Sequence, residues 1–530
     1  MSAPYVGGLI GTSSVLSFLQ LAAITVVLGF LARIVYNLFL HPLRDVPGPK
    51  WFAASGLAQY RMYGSGDAHK ILRDLHIQYG DMVRIGPNDV SFAAPYAWSD
   101  VFGQKRIPGG VGGHAYLENP KEELFYKSLT RPGSLLGMPQ ADHMEARKTI
   151  NPAFSAKAVA EQEPLVQRHI DKLIDLLHGV AQSKSDKADS KSNIIDIAAY
   201  VNWAFFDIIG DLSFGEPFGS LVDGAEHAWV AMIPKALKGT IAIANLQRLL
   251  GKTVARVAVW LTLTHEQRNR IIWHRELTSE KVNKRLALGP GRPDFLTPML
   301  ESEFWNEKRI HGSLPTLISA GSETSATTIS AALSFLTITP ATSSTPGDKS
   351  PLEKLVAEVR GEFASDADIN FTSVRHLPYL GAVIDEALRM HPPPVWGFNR
   401  QAREGGTTVA GGQVFLPEKT VMTVCHYAMF HNPANFALPD SFVPERWLGA
   451  DARFEGDQKD AFQPFSYGPR NCAGRYLANV EMRTILARIV YNFDLVVQPE
   501  SRTWAADQKT YGFWEKGPLM VAVTERADKA

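Results

Sequence analysis

Cysteine occurs twice in this 530-residue sequence, and only one of the two sits among residues that could make it reactive. Cys472 closes the segment Phe465-Ser-Tyr-Gly468-Pro-Arg470-Asn-Cys472-Ala-Gly474-Arg475, directly ahead of a stretch with helical periodicity. A sulfur at the start of a helix meets the positive end of the helix dipole, typically worth ~0.3–1 kcal/mol to a nearby anion. Peptide N–H groups in such a loop can point at it, and Phe465 can cover it from water. Gly468 and Gly474 let backbone pass where a Cβ would collide. A cysteine placed this way has groups that favour its thiolate form. Cys425, inside the apolar run VMTVCHYAMF, reads instead as a buried small hydrophobe.

Three more constellations carry chemistry. Glu386-Ala-Leu-Arg389 puts an acid and a base three apart, on one face of a helix. Pro444-Glu445-Arg446-Trp447, some fifty residues later, offers a second arginine to the same carboxylate. Asp142-His143-Met-Glu-Ala-Arg147 places a histidine and an arginine at i and i+4, and Ala320-Gly321-Ser322-Glu323-Thr324 sets an acid beside a hydroxyl in an apolar, small-residue helix.

The cysteine segment resembles the haem loop of the cytochrome P-450 superfamily, F-x-x-G-x-R-x-C-x-G, and the other constellations resemble that family's E-x-x-R helix, P-E-R-W turn, propionate-binding helix and A-G-x-[DE]-T motif. The resemblance implies a mainly α fold with a small β region in one globular unit. It implies heme b, iron protoporphyrin IX, with the Cys472 sulfur as axial ligand to the iron and Phe465 against that sulfur. Arg470, His143 and Arg147 would hold the propionates. A further family arginine falls on Gly397 here, so Arg400, three residues on, is left outside the haem site. Glu386, Arg389 and Arg446 would form a structural lock near the loop. Thr324 and Glu323 would relay protons, with Gly321 loosening the helix so that dioxygen fits. Thiolate ligation pushes electron density onto iron and favours O–O cleavage.

The implied reaction inserts one atom of O₂ into a small hydrophobic substrate. No G-x-G-x-x-G opens a dinucleotide unit, so electrons would come from NADPH through a separate NADPH-cytochrome P-450 reductase, with cytochrome b5 as a further donor. HPLRDVPGPK and FSYGPRNCAGRYLANVEMR resemble fungal microsomal members, many of which serve secondary metabolism. Two other classes stand beside this one. A haem-thiolate isomerase or dehydratase would need no reductase but tends to lack the threonine found at Thr324; a membrane-bound haem or lipid binder would be non-catalytic.

The elements that must position these residues follow from pattern. Lys+Arg and Asp+Glu both number 54, so no basic excess points to nucleic acid. Two cysteines point to a reducing compartment. Met1 to Ala32 carries no Lys, Arg, Asp or Glu, and Val15 to Ala32 is apolar over eighteen residues, roughly 27 Å as a helix. Arg33, Arg44 and Lys50 follow it within a proline-rich hinge. This reads as a single-pass anchor over residues 1–40 (helix about 15–32) in the endoplasmic reticulum membrane, with a catalytic body over 41–530 in the cytosol.

Within the body, 70–95 reads as a helix and a hairpin turning at Gly-Pro-Asn, and 140–280 as mostly helical, broken by the polar loop 182–193. Residues 316–336, 352–363 and 377–390 read as helices, 395–424 as short strands, and the end as a long helix after Cys472 followed by strands. Gly312 and Pro315 read as a helix start, which predicts that the helix carrying Thr324 is truncated at its N-terminal end and followed by a long loop, 340–351.

Overall fold

Two segments rich in apolar residues on every face, Ile197–Phe214 and Glu307–Ile338, form helices buried nearly all round. A helix apolar on all sides has to lie inside the molecule, and these two pack against each other at its centre. The computed structural model describes residues 12–108, 114–182, 193–262, 264–341 and 348–526. Of the polar loop expected over 182–193, residues 183–192 lie outside the described part, as do 342–347 of the loop after Thr324.

The long helix corrects one expectation. It is not truncated: it begins at Glu307, capped by Asn306, whose side chain accepts the Arg309 N–H at 3.0 Å, and runs 32 residues through both Gly312 and Pro315. Proline inside a helix removes one hydrogen bond and usually costs ~3 kcal/mol or more, but the loop 131–137 compensates at this point. Ser313 Oγ donates to Gly133 O at 3.3 Å and accepts from Leu135 N at 2.9 Å, and Ser134 and Thr316 hydroxyls meet at 3.1 Å. Gly312 is what lets the loop come this close. A Cβ there would stand 2.7 Å from Pro132 O and 2.8 Å from Ser134 N.

Helix Arg475–Asn492 follows the cysteine loop and packs against the long helix, against Pro378–Met390 and against Ala156–Gln182. These helices share one apolar core. A second core lies around a four-stranded sheet: Met82–Gly86 pairs antiparallel with Asp89–Phe92, which runs parallel to Val421–Val424, which pairs antiparallel with Arg400–Gln401. A three-stranded sheet orders Phe493–Val497, Met520–Glu525 and Ile194–Asp196, all antiparallel. The outcome is mainly helical with a small β region, as the sequence implies. At the N-terminus, helix Thr12–Val35 passes into a π-helical turn over Tyr36–Leu40; the apolar helix stands exposed, and the turn meets the body through buried Asn37, which donates to Ala54 O (2.9 Å) and accepts from Arg84 (3.0 Å).

Candidate active site

The cysteine loop is shaped by backbone. Cys472 N–H donates to Phe465 O at 2.9 Å, closing the loop, and Ser466 and Gly468 adopt left-handed φ of 62° and 75°. Gly468 is required: a Cβ there would meet Phe102 O at 2.3 Å. Gly474 caps the following helix without any side-chain cap, and its N–H hydrogen-bonds the Cys472 sulfur. Burial raises the thiol above its ordinary value, while that N–H, Arg147 and Arg475 draw it back down. The residue is exposed by area although its surroundings desolvate the thiol, so it borders a recess in the protein. Phe465 is half-buried beside the core, with the Arg475 guanidinium 5.6 Å from its ring centre. Cys425 is fully buried, its thiol pushed up to about 12 by desolvation, and is no ligand candidate.

Around the loop lies a knot of cations. Arg147, on helix Gln140–Ile150, donates to Asn471 O (2.6 Å) and Asn471 Oδ1 (3.2 Å), gripping the residue next to Cys472. Arg470 is buried and forms a bidentate pair with Glu118 (2.5–3.0 Å) while donating to Met138 O. His143 is buried; burial, and then Arg470, Lys121 and Arg147, drive it down to about 2, so it is a neutral N–H donor. Arg400, which the sequence reading leaves outside the haem site, lies in the same interior as these cations. Its short strand lies on Val421–Val424 and bridges Lys121, which turns two cations into the same interior. Arg400 is 3% exposed and its Nε has no partner among the described residues. Lys121 contacts Leu136 O and is driven well below its ordinary value by burial, then by Arg470 and Arg400. Three cationic side chains, Arg470, Arg400 and Lys121, thus share the buried carboxylate of Glu118, with Arg147 half-buried beside the cysteine loop.

That excess tests what the site can hold. Buried like charges require counter-charge; a flat, dianionic metalloporphyrin would bring two carboxylates to the cations and a metal cation to a thiol that burial alone keeps protonated, since a coordinating thiol is deprotonated outright. The donor set fits haem.

Glu386, Arg389 and Arg446 meet in one buried cluster. Glu386 accepts from Arg389 (2.8–2.9 Å), Arg446 (3.2–3.3 Å), Trp447 Nε1 (2.9 Å) and Val443 N (2.9 Å), all three charged side chains being fully buried. Burial opposes the charge, but Arg389 and Arg446 outweigh it and hold the Glu386 carboxyl below its usual range. Arg446 also meets buried Asp457 at 2.6 Å, a partner no sequence spacing announced.

On the long helix, Ala320 is exposed and Thr324 half-buried amid otherwise buried residues, so this stretch also lines a recess. The Thr324 hydroxyl donates to Ala320 O at 2.7 Å, which leaves its oxygen with acceptor capacity. Glu323 is buried and pairs with Lys516 at 2.8 Å. At Gly321 a Cβ would stand 2.4 Å from Ile209 Cδ1, so the glycine also lets the neighbouring helix come close.

The model of the cytochrome P450 family matches residues 46–522. The chain belongs to the cytochrome P450 family. It is 36% identical over 500 residues to a cytochrome P450 monooxygenase of Talaromyces wortmannii, astA, covering 93% of this chain and 94% of that one. It is 37% identical over 505 residues to the monooxygenase tpeC of Talaromyces stipitatus (95% and 94%). It is 37% identical over 503 residues to a trichothecene C-15 hydroxylase of Fusarium sporotrichioides (93% and 95%). This P450 is an oxidoreductase of the monooxygenase class, and family membership implies haem and O₂-dependent catalysis.

Sequence reasoning missed Glu118, Lys121 and Lys516 in this P450. Each lies over a hundred residues from its partner, and only Arg400 stood near a motif that could have drawn attention to it.

Proposed function

We propose that this P450 binds heme b through Cys472 and inserts one atom of O₂ into a small hydrophobic substrate, the other leaving as water, with NADPH electrons delivered by a separate reductase and cytochrome b5 as a further donor. The observation that carries the reading is the Cys472 sulfur with its Gly474 N–H and Arg147, set beside Arg470, Arg400 and Lys121, which share the carboxylate of Glu118. Bound haem supplies the activation of dioxygen. Arg147 and Gly474 steady the sulfur's negative charge; Arg400, Arg470 and Lys121 offer charge, and His143 an N–H, to the propionates; Arg470 is oriented for this by Glu118. Thr324 offers an acceptor oxygen beside an acid, and the apolar long helix excludes water. Residues 1–40 form an anchor that holds the body, 41–530, on the cytosolic face of the endoplasmic reticulum, and similarity to a trichothecene hydroxylase favours a terpenoid or related fungal secondary metabolite as substrate. Cys472→His tests the central assignment. The carbon-monoxide complex of the reduced variant should lose the red-shifted Soret band of thiolate ligation; retention of that band would refute it.

A further inference from the structure

Lys516 reaches from the segment after strand Phe513–Glu515 into the long helix, where its ammonium meets Glu323 Oε1 at 2.8 Å and Thr327 Oγ1 at 3.1 Å. Both charged side chains are largely buried, 14% and 8% exposed. A charge buried this far requires a partner, and removing one member of such a pair leaves the other desolvated and unpaired. The pair is therefore not a loose surface contact. Nor is it needed to hold its loop in place. After Lys516, Trp504 Nε1 donates to Gly517 O (2.7 Å), Ser501 Oγ to Pro518 O (3.3 Å), and Leu519 N to Asp196 Oδ1 (2.8 Å); before it, Glu515 pairs with Lys238 (3.0 Å) and lies opposite Lys509 in a two-stranded sheet, so the loop is tied down without Glu323. Thr327, one turn along the helix, fixes the ammonium from a second direction and also donates to Glu323 O at 2.7 Å. Glu226, in the turn before helix Ala228–Leu250, feels both charges: burial and then Glu323 raise its carboxyl while Lys516 lowers it, with Lys235 and Asp196 farther out. Lys516 thus has two carboxylates within electrostatic reach and is hydrogen-bonded to Glu323.

We infer that Lys516 is a positioning residue for the oxygen chemistry: its ammonium fixes the Glu323 carboxylate in direction and charge beside Thr324, and so governs how well proton delivery keeps pace with electron delivery. The inference rests on the reading that Glu323 and Thr324 serve that proton delivery. Lys516 itself neither gains nor loses a proton. The carboxylate takes its proton from water and passes it on.

The test uses the haem-loaded full chain with its reductase and, as probe, the sesquiterpene alcohol that most shifts the Soret band in a screened panel. NADPH consumed and hydrogen peroxide released are measured for Glu323→Gln, Lys516→Met, Lys516→Arg and the double variant Glu323→Gln/Lys516→Met. Soret titration with the probe and the urea midpoint are recorded for each. Peroxide per NADPH should rise about tenfold in Glu323→Gln and in Lys516→Met, below the ~10²–10⁴-fold typical of positioned proton transfer because water substitutes in part. The double variant should be no worse than either single one, and Lys516→Arg should stay near the native ratio with probe affinity unchanged. If Glu323→Gln uncouples the enzyme and Lys516→Met does not, the inference is overturned while the reading of Glu323 stands. If neither uncouples, the reading of Glu323 itself falls and the inference with it. Loss of probe affinity or urea midpoint in Lys516→Met at native coupling would make the pair a loop staple only. Should Lys516→Met fail to load haem, Lys516→Gln, closer in polarity, takes its place under the same criteria.

Discussion

At the scale of single residues, the hydrogen-bond inventory decides what each group has left to offer. Thr324 has already committed its proton to Ala320 O, one turn back, as hydroxyls on helices commonly do. To any other group it is an acceptor, and it becomes a donor only by leaving that carbonyl. Thr324→Ala should therefore keep haem content and ligand-induced Soret changes, while product per NADPH falls by roughly ten- to a hundredfold and peroxide rises, given the ~10²–10⁴-fold typical of positioned proton handling with water as a partial substitute. Coupling at the native level in that variant would move the function to Glu323 or to water. Arg470 is likewise partly committed: Glu118 takes two of its N–H directions and Met138 O a third. What it presents to a propionate is therefore a fixed edge of the guanidinium, and the orientation comes from Glu118.

At the scale of elements, the long helix shows local preference giving way to packing. Gly312 and Pro315 are poor helix-interior residues, and on their own they read as a boundary. The loop 131–137 reverses that reading because it needs a helix face without a Cβ to lie against, and it returns hydrogen bonds through Ser313 and Thr316. The sign of one substitution separates the two descriptions. Helix propensity alone has Gly312→Ala stabilising by ~1 kcal/mol. The structure has it destabilising by ~1–3 kcal/mol, since a methyl would stand 2.7–2.9 Å from three backbone atoms of the loop. Urea denaturation of the haem-loaded protein gives the sign directly, and a raised midpoint would mean the loop contact is not as tight as described. A similar lesson holds at the lock: the three-residue spacing of Glu386 and Arg389 announced a pair, but Trp447 and Asp457 join it only because the 444–447 turn folds onto that helix.

At the scale of the whole molecule, burial sets the response to acid. Desolvation drives His391 and His426 down to about 3 and His76 to about 4, from an ordinary 6.5. These bases are neutral in the folded protein. Unfolded, they take up protons below about 6.5, while the folded state does so only below 3–4. Their contribution to stability is thus intact above 6.5 and drains away as pH falls toward 4, at about 1.4 kcal/mol per pH unit for each group. Urea midpoints should drop between pH 7 and pH 5, and His426→Phe, which keeps the aromatic contacts with Trp98 and Phe430, should lessen the drop. Equal midpoints at the two pH values would show that these rings are charged or solvated in the native state.

Local chemistry was legible because it repeats at short range. The order of residues around Cys472, the i,i+3 pair of Glu386 and Arg389, and the acid beside Thr324 each express themselves within a dozen residues, and the apolar run from Val15 within eighteen, where backbone geometry alone dictates what can face what. From them the sequence by itself determined the helical class, the cysteine that matters and the family. Tertiary structure decided everything that depends on two distant segments meeting: Glu118 against Arg470, Lys121 beside Arg400, Asp457 on Arg446, Lys516 on Glu323, and a helix that continues through Gly312 and Pro315. The physical reason is common to all five. Burial multiplies the cost of an unpaired charge and the cost of a misplaced methyl, so in the interior the partner that arrives from elsewhere in the chain, and not the neighbour in sequence, determines what each residue does.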